Sequence, residues 1–266
     1  MSLGIVIKGP EGLVLAADSR ITLQALPASG QSGVSVNYDT ATKLLSFSEP
    51  HISVGAVTYG QALIGIRTAH SYIPEFEASL PPERLSVSEF SKRFSDFYSN
   101  QFQSETPNYS GPDMTFVIGG FDELEPYGRV FEFSIPSKPA PVEHQAGAGE
   151  FGITWGGQRE IVDRLLQGYD YRVLEVMKAV LKPTPPQEKA LVQKLEPLRM
   201  LLPLQALPLQ DCVDLAIFFI RTTISAQNLI VALRGVGGPI EVATVTRREG
   251  LRFIQQKKIV GESQTR

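Results

Sequence analysis

Gly4-Ile5-Val6-Ile7-Lys8-Gly9-Pro10-Glu11-Gly12-Leu13-Val14-Leu15-Ala16-Ala17-Asp18-Ser19-Arg20 is the stretch whose reading decides the fold. Two short runs rich in β-branched and aliphatic residues flank Gly9-Pro10-Glu11-Gly12, which is a strand, turn, strand signal. The second run ends on Asp18, a charge at the end of an otherwise apolar approach. Outward from this hairpin, Lys43–Ser48 and Ile52–Val57 form a second strand pair divided by Glu49-Pro50, after a long Gly/Ser/Ala-rich loop from about residue 23 to 42. Residues 59–80 carry helical spacing through Ala62, Ile66, Ala69 and Ile73. A second helix follows from Val87 to about Phe102, with Phe90, Phe94, Phe97 and Tyr98 as its buried stripe.

Strands are expected at 114–119 and 129–135, then a Pro/Gly-rich connection, a strand at 151–155, and helices at 158–167 and 171–181. Residues 182–208 hold six prolines around a short helix and read as an insertion. Asp211 can cap a strong helix to about Gln227. Runs at 231–233, 240–245 and 251–254 close the chain with β patterns, and a flexible tail begins near 256. Blocks of strands and blocks of helices, without strict βαβ alternation, predict an α+β fold: antiparallel sheets covered by helix layers.

Composition narrows the chemistry. The 266 residues are 42% hydrophobic, 9% aromatic and 20% charged, which supplies a full core. Length alone leaves one or two domains open; strands at both ends that suit one sandwich favour a single domain over 1–266. Net charge is −3, from 25 basic and 28 acidic residues, so nothing favours nucleic acid. The N-terminus lacks the basic start and long apolar stretch of a secretory signal. The apolar run 213–220 falls far short of the roughly 20 residues that span a bilayer, so no membrane association is expected. One cysteine, Cys212, excludes an intramolecular disulfide framework and multi-thiolate metal sites. The expectation is a soluble, cytoplasmic protein. Three scattered histidines, His51, His70 and His144, leave His-based hydrolysis thinly supplied.

The stretch 4–20 resembles the opening of proteasome subunits. Lys43-Leu44-Leu45 and Ile52-Ser53-Val54-Gly55-Ala56 resemble the family's lysine strand and the glycine-bearing strand after it. Residues 211–216 and 237–246 resemble its last helix and the following strand. The resemblance frames roughly 2–80 and 112–255, with poor agreement at 182–208. It implies the four-layer αββα sandwich of the N-terminal nucleophile (Ntn) hydrolases, closer to bacterial proteasome-related proteins than to standard β-subunits. It also implies assembly into homo-oligomers, as rings or helical arrays, and requires no metal or organic cofactor.

The same resemblance implies the site. Ser2 follows Met1, and a residue this small permits removal of Met1, leaving a free N-terminal serine. Counted back without gaps from Asp18, Ser2 falls where the family has its N-terminal threonine. A serine hydroxyl needs an adjacent base; an α-amine titrating at roughly 7.7–8.0 could be that base, with no histidine. Taken alone, a serine at position 2 means little. Lys43 would be the ammonium beside the nucleophile; by itself it also suits a strand-end lysine guarding an edge. Asp18 would orient Lys43, or else initiate a turn. Gly55 would donate its N–H to the oxyanion; close sheet packing or a bulge explains a mid-strand glycine equally well. Arg20 matches the family's arginine, and a surface arginine or a structural ion pair is its better reading.

The departures are specific. The turn at 155–158 lacks the family's serine, and residues 232–238 lack its Asp and Ser. The loop between Arg20 and Lys43 is longer than the family's. The leading expectation is amide or peptide bond hydrolysis through Ser2. A catalytically inactive scaffold or binding subunit is the rival, and acyl transfer to an amine through the same nucleophile is a third reading. Gly235–Gly238 lacks the following GK[ST] of a phosphate loop. Lys257-Lys258 reads as a solvated charge pair, and Cys212 as a buried structural thiol.

Overall fold

A computed structural model describes residues 2–25, 34–231 and 234–261. The expectations for Met1, for the middle of the 23–42 loop, for a strand reaching Leu233 and for the last five residues of the tail lie outside the described residues.

The strands are β1 (Leu3–Lys8), β2 (Leu13–Ala17), β3 (Ile21–Ala25), β4 (Val34–Tyr38), β5 (Leu44–Ser46), β6 (Val54–Gly60), β7 (Leu63–Ile64), β8 (Arg67–Thr68), β9 (Met114–Gly120), β10 (Arg129–Ile135), β11 (Lys138–His144), β12 (Gly152–Gly157), β13 (Glu241–Thr246) and β14 (Gly250–Gln255). The helices are α1 (Ile73–Ala78), α2 (Val87–Glu105), α3 (Glu160–Leu166), α4 (Arg172–Leu181), α5 (Pro185–Leu195) and α6 (Leu209–Leu229).

One five-stranded sheet runs β12-β1-β2-β13-β14 and the other β11-β10-β9-β6-β5, every neighbouring pair antiparallel. The first and last strands of the chain therefore share one sheet, with β2 hydrogen-bonded to β13.

Alternation along each strand sorts the core into three layers. Leu3, Ile5 and Ile7 of β1 pack with Cys212, Ala216, Phe219 and Ile220 of α6 on one outer face. Val6, Leu13, Leu15 and Ala17 meet Val57, Val117 and Val130 between the sheets. On the other outer face Phe116 and Phe133 lie under α2, whose Phe90, Phe94 and Tyr98 are fully buried. Ser86 caps α2, its side chain accepting the Glu89 N–H. The result is helix, sheet, sheet, helix.

Three expected elements differ. The loop expected over 23–42 instead carries the end of β3 and all of β4, which pair antiparallel. The helix over 59–80 is instead the end of β6, the β7–β8 hairpin, a 3₁₀ turn and the six-residue α1. Gly60 and Gly65 hold φ of +89° and +58°, which no helix accommodates, and Ile66 of the supposed apolar face is 93% exposed. The supposed Pro/Gly-rich connection contains β11, an edge strand that tolerates Pro139 and Pro141 because its outer side has no ladder to complete.

Candidate functional site

The site is built where β1 begins, β2 ends and β5 begins. Because Leu3 and Ile5 face the helices, alternation turns Ser2 and Gly4 toward the space between the sheets. Ser2 is 4% exposed. Its carbonyl accepts the Gln158 N–H at 2.7 Å. Leu3 pairs with Gly157, whose φ is +94° and where a Cβ would stand 1.9 Å from the Ser2 carbonyl oxygen. Only glycine lets the β12 backbone pass so close.

Asp18 is wholly buried, and its carboxylate is saturated. One oxygen, Oδ1, accepts the Leu3 N–H at 3.0 Å and the Lys43 ammonium at 2.7 Å. The other accepts the N–H of Arg20 at 3.1 Å and of Gly237 at 2.9 Å. Charge-assisted bonds of this kind offset the cost of burying a carboxylate. Lys43 Nζ also donates to the Arg20 carbonyl. Burial is the largest influence on Lys43 and pushes its ammonium below the ordinary lysine range; Asp18 opposes this, and the positive charges of Lys257 and Arg20 add to it. A buried lysine displaced in that direction is closer to exchanging a proton near neutrality than a surface one.

Ser2 and Lys43 line one small cavity, together with Thr42, Thr58, Tyr59 and Ala69. Its volume is ≈ 20 Å³, room for about one water. Tyr59 forms a wall by lying across two glycines: a Cβ on Gly4 would stand 2.8 Å from its ring, and one on Gly156 2.2 Å from its hydroxyl. Burial, with Glu132 beside the hydroxyl, drives the Tyr59 phenol far above its usual range. A larger cavity of ≈ 830 Å³ lies by β12, α3 and the 199–205 segment. No Ser, Thr, Cys, Lys or His lines it, so it lacks the groups the Ser2 corner brings together.

The structure thus brings Ser2, Asp18 and Lys43 to one corner, and Arg20 to its rim. Arg20 makes a two-pronged pair with Asp39, Nε to Oδ1 at 2.5 Å and the terminal nitrogen to Oδ2 at 2.8 Å, so of its two plain readings the structural ion pair is the one found. Gly55 is not in this corner. The Thr58 N–H donates to the Lys43 carbonyl, and alternation turns the Gly55 N–H to the other side of β6, where it faces Gly119 of β9. A Cβ on Gly55 would stand 2.3 Å from Leu251 and 3.1 Å from Leu15. Close sheet packing, not an oxyanion, accounts for this glycine.

Sequence reasoning missed Gly237, whose N–H fixes Asp18; the Gly237-Gly238 pair was the available signal. It also missed the Gly157 crossing over Ser2 and the burial of Lys257 on Glu241. Among the described residues no group of three His, Cys, Asp or Glu side chains is placed to hold a metal ion. No helix among them is long and apolar enough to cross a membrane.

Two facing antiparallel sheets, helices on both outer faces and the N-terminal strand inside one sheet define an α+β, proteasome-like fold of the Ntn-hydrolase type. Among solved structures, the Gly-1 mutant of Anbu from Hyphomicrobium sp. strain MC1 is similar over 99% of this chain and 89% of its own, with 12% identity and a TM-score of 0.55. A second structure of Anbu from that strain covers 98% and 89%, with 14% identity and a TM-score of 0.54. At such identities the likeness establishes the fold alone. No family model and no curated protein matches the chain.

Proposed function

We propose that the protein hydrolyses amide or peptide bonds with Ser2 as an N-terminal nucleophile, once Met1 has been removed. The observation that carries this reading is that Lys43, held in a buried pair with Asp18, shares a cavity with Ser2. Ser2 Oγ attacks the carbonyl carbon, its own α-amine takes the hydroxyl proton and returns it to the leaving amine, and water then releases the acyl group. Lys43 favours the ionised hydroxyl by its charge, and Asp18 fixes Lys43 in place. A single domain that assembles with copies of itself in the cytoplasm completes the reading, and light scattering on the purified protein measures the assembly.

Intact mass is the first test. Retention of Met1 would put the α-amine on the wrong residue and end the proposal. With Met1 absent, a β-lactone or epoxyketone probe adds one equivalent to wild type and none to Ser2→Ala. Equal labelling of both proteins rejects Ser2.

One observation favours a second reading, a non-catalytic scaffold. A cavity of ≈ 20 Å³ admits no acyl group as it stands. Hydrolysis therefore requires the surrounding segments to move apart, whereas a scaffold does not. Absence of labelling on a protein lacking Met1 selects the scaffold.

A further inference from the structure

Lys257 does not behave as a solvated tail residue. Its ammonium lies 2.5 Å from Glu241 Oε2, with the two side chains 13% and 2% exposed. Neither of these two atoms has a hydrogen-bond partner beyond this contact among the described residues. Glu241 is the register partner of Ala17, the residue before Asp18. Ala243 and Val245 of β13 lie in the inter-sheet core and Val242 in the helix-side core, so alternation aims Glu241 between the sheets, toward β5. Gln255 at the end of β14 donates its side-chain N–H to the Ile240 carbonyl at 2.7 Å, tying the start of the following segment to the residue before β13.

We infer that the segment after β14 is a strap pinned across the β5–β13 end of the sandwich, and that Lys257 acts through it as a positioning residue for Lys43. Within 256–261, Lys257 alone goes in; Gln256, Lys258, Ile259 and Val260 are exposed. If the segment needed only an anchor, Ile259 or Val260 would serve better, because a buried ion pair rarely out-stabilises an apolar contact of similar size. Burying a lysine here instead adds its positive charge to that of Arg20 acting on Lys43. The ionisable groups around Lys43 are then Asp18 and Arg20 beyond β2, Asp39 beyond β4, Tyr59 of β6, the Ser2 α-amine of the hydrolase reading, and Lys257 of the strap with its partner Glu241. Lys257 works against Asp18, so a docked strap makes Lys43 a weaker base and a released one makes it stronger. The bearing on catalysis rests on the Ser2 hydrolase reading; the bearing on Lys43 does not.

The experiment follows the Lys43 side chain by NMR in the full chain labelled at lysine, across pH. Lys257→Met is expected to raise the Lys43 midpoint, while Lys258→Met leaves it in place. An unmoved midpoint in Lys257→Met, even with lower thermal stability, reduces Lys257 to a structural anchor and overturns the inference. Trypsin provides a second measurement: the bond after Lys257 resists cleavage in wild type and is cut about tenfold faster in Glu241→Gln. Equal cutting in both proteins rejects the strap. Should Lys43 shift as expected while Ser2 takes no probe, the strap stands and the hydrolase reading falls.

Discussion

Asp18 Oδ2 accepts the backbone N–H of Gly237 at 2.9 Å, joining residues 219 apart in the chain. With Leu3 and Arg20, that contact gives the carboxylate three backbone donors besides Lys43.

The two halves of the ion pair should therefore differ in what their loss costs. Asp18→Ala removes the counter-charge of a buried ammonium and the acceptor of three backbone N–H groups, and should destabilise the protein by about 3–5 kcal/mol. Lys43→Met leaves Asp18 with its three backbone donors and should cost less. Urea midpoints measure both, and equal losses would show that the backbone donors contribute nothing.

Gly55→Ala tests what that glycine is for. The new methyl meets Leu251 and Leu15, an overpacking that should cost about 1–3 kcal/mol. Its N–H keeps facing β9, so probe labelling at Ser2, measured per folded molecule, should keep the wild-type rate. A large drop in that rate would return Gly55 to the reaction.

Gly157→Ala acts directly on Ser2. A φ of +94° and a Cβ 1.9 Å from the Ser2 carbonyl leave an L side chain no place. The expected loss is more than about 2 kcal/mol, read as a lower melting temperature. An unchanged melting temperature would mean that β12 does not cross Ser2 this closely.

Burial pushes the Cys212 thiol up to about 11, with Asp211 and Glu11 adding to the effect. The folded value lies above the unfolded one, so the unfolded chain loses its proton first as pH rises. The thiol's contribution to stability is thus intact below about pH 9 and is lost as pH climbs toward 11. Because the residue is also 1% exposed, a thiol reagent near pH 8 should modify Cys212 only at the rate of unfolding. Rapid stoichiometric modification of the native protein would contradict this.

The hairpin at 3–17, α2 and α6 were legible because their apolar spacing and their burial coincide: Phe90, Phe94 and Tyr98 are fully buried as the stripe requires. Residues 59–80 misled because spacing alone carries no backbone angle, and the glycines at 60 and 65 decide the path there. β11 hid behind prolines that an edge strand tolerates. In the corner at Ser2, side chains could be singled out from sequence, but backbone donors could not. Gly237, Leu3 and Arg20 serve Asp18 through N–H groups that every residue except proline has, and only the fold says which ones point inward. Lys257 was misread for a related reason: a lysine in a tail is solvated unless a buried acid waits for it, and Glu241 is buried only by the sheet.

The pairing of β2 with β13 also orders events during synthesis. The corner around Ser2 is complete only when residues 237–241 have joined it, because Asp18 takes the Gly237 N–H and Ala17 pairs with Glu241. Until then the Asp18 carboxylate lacks one of its donors. With every element in place Ser2 is 4% exposed, and on the hydrolase reading the time for freeing its amine has closed. Trimming of Met1 would then be a race against folding, and a chain that folds untrimmed would carry the same corner without a free serine amine.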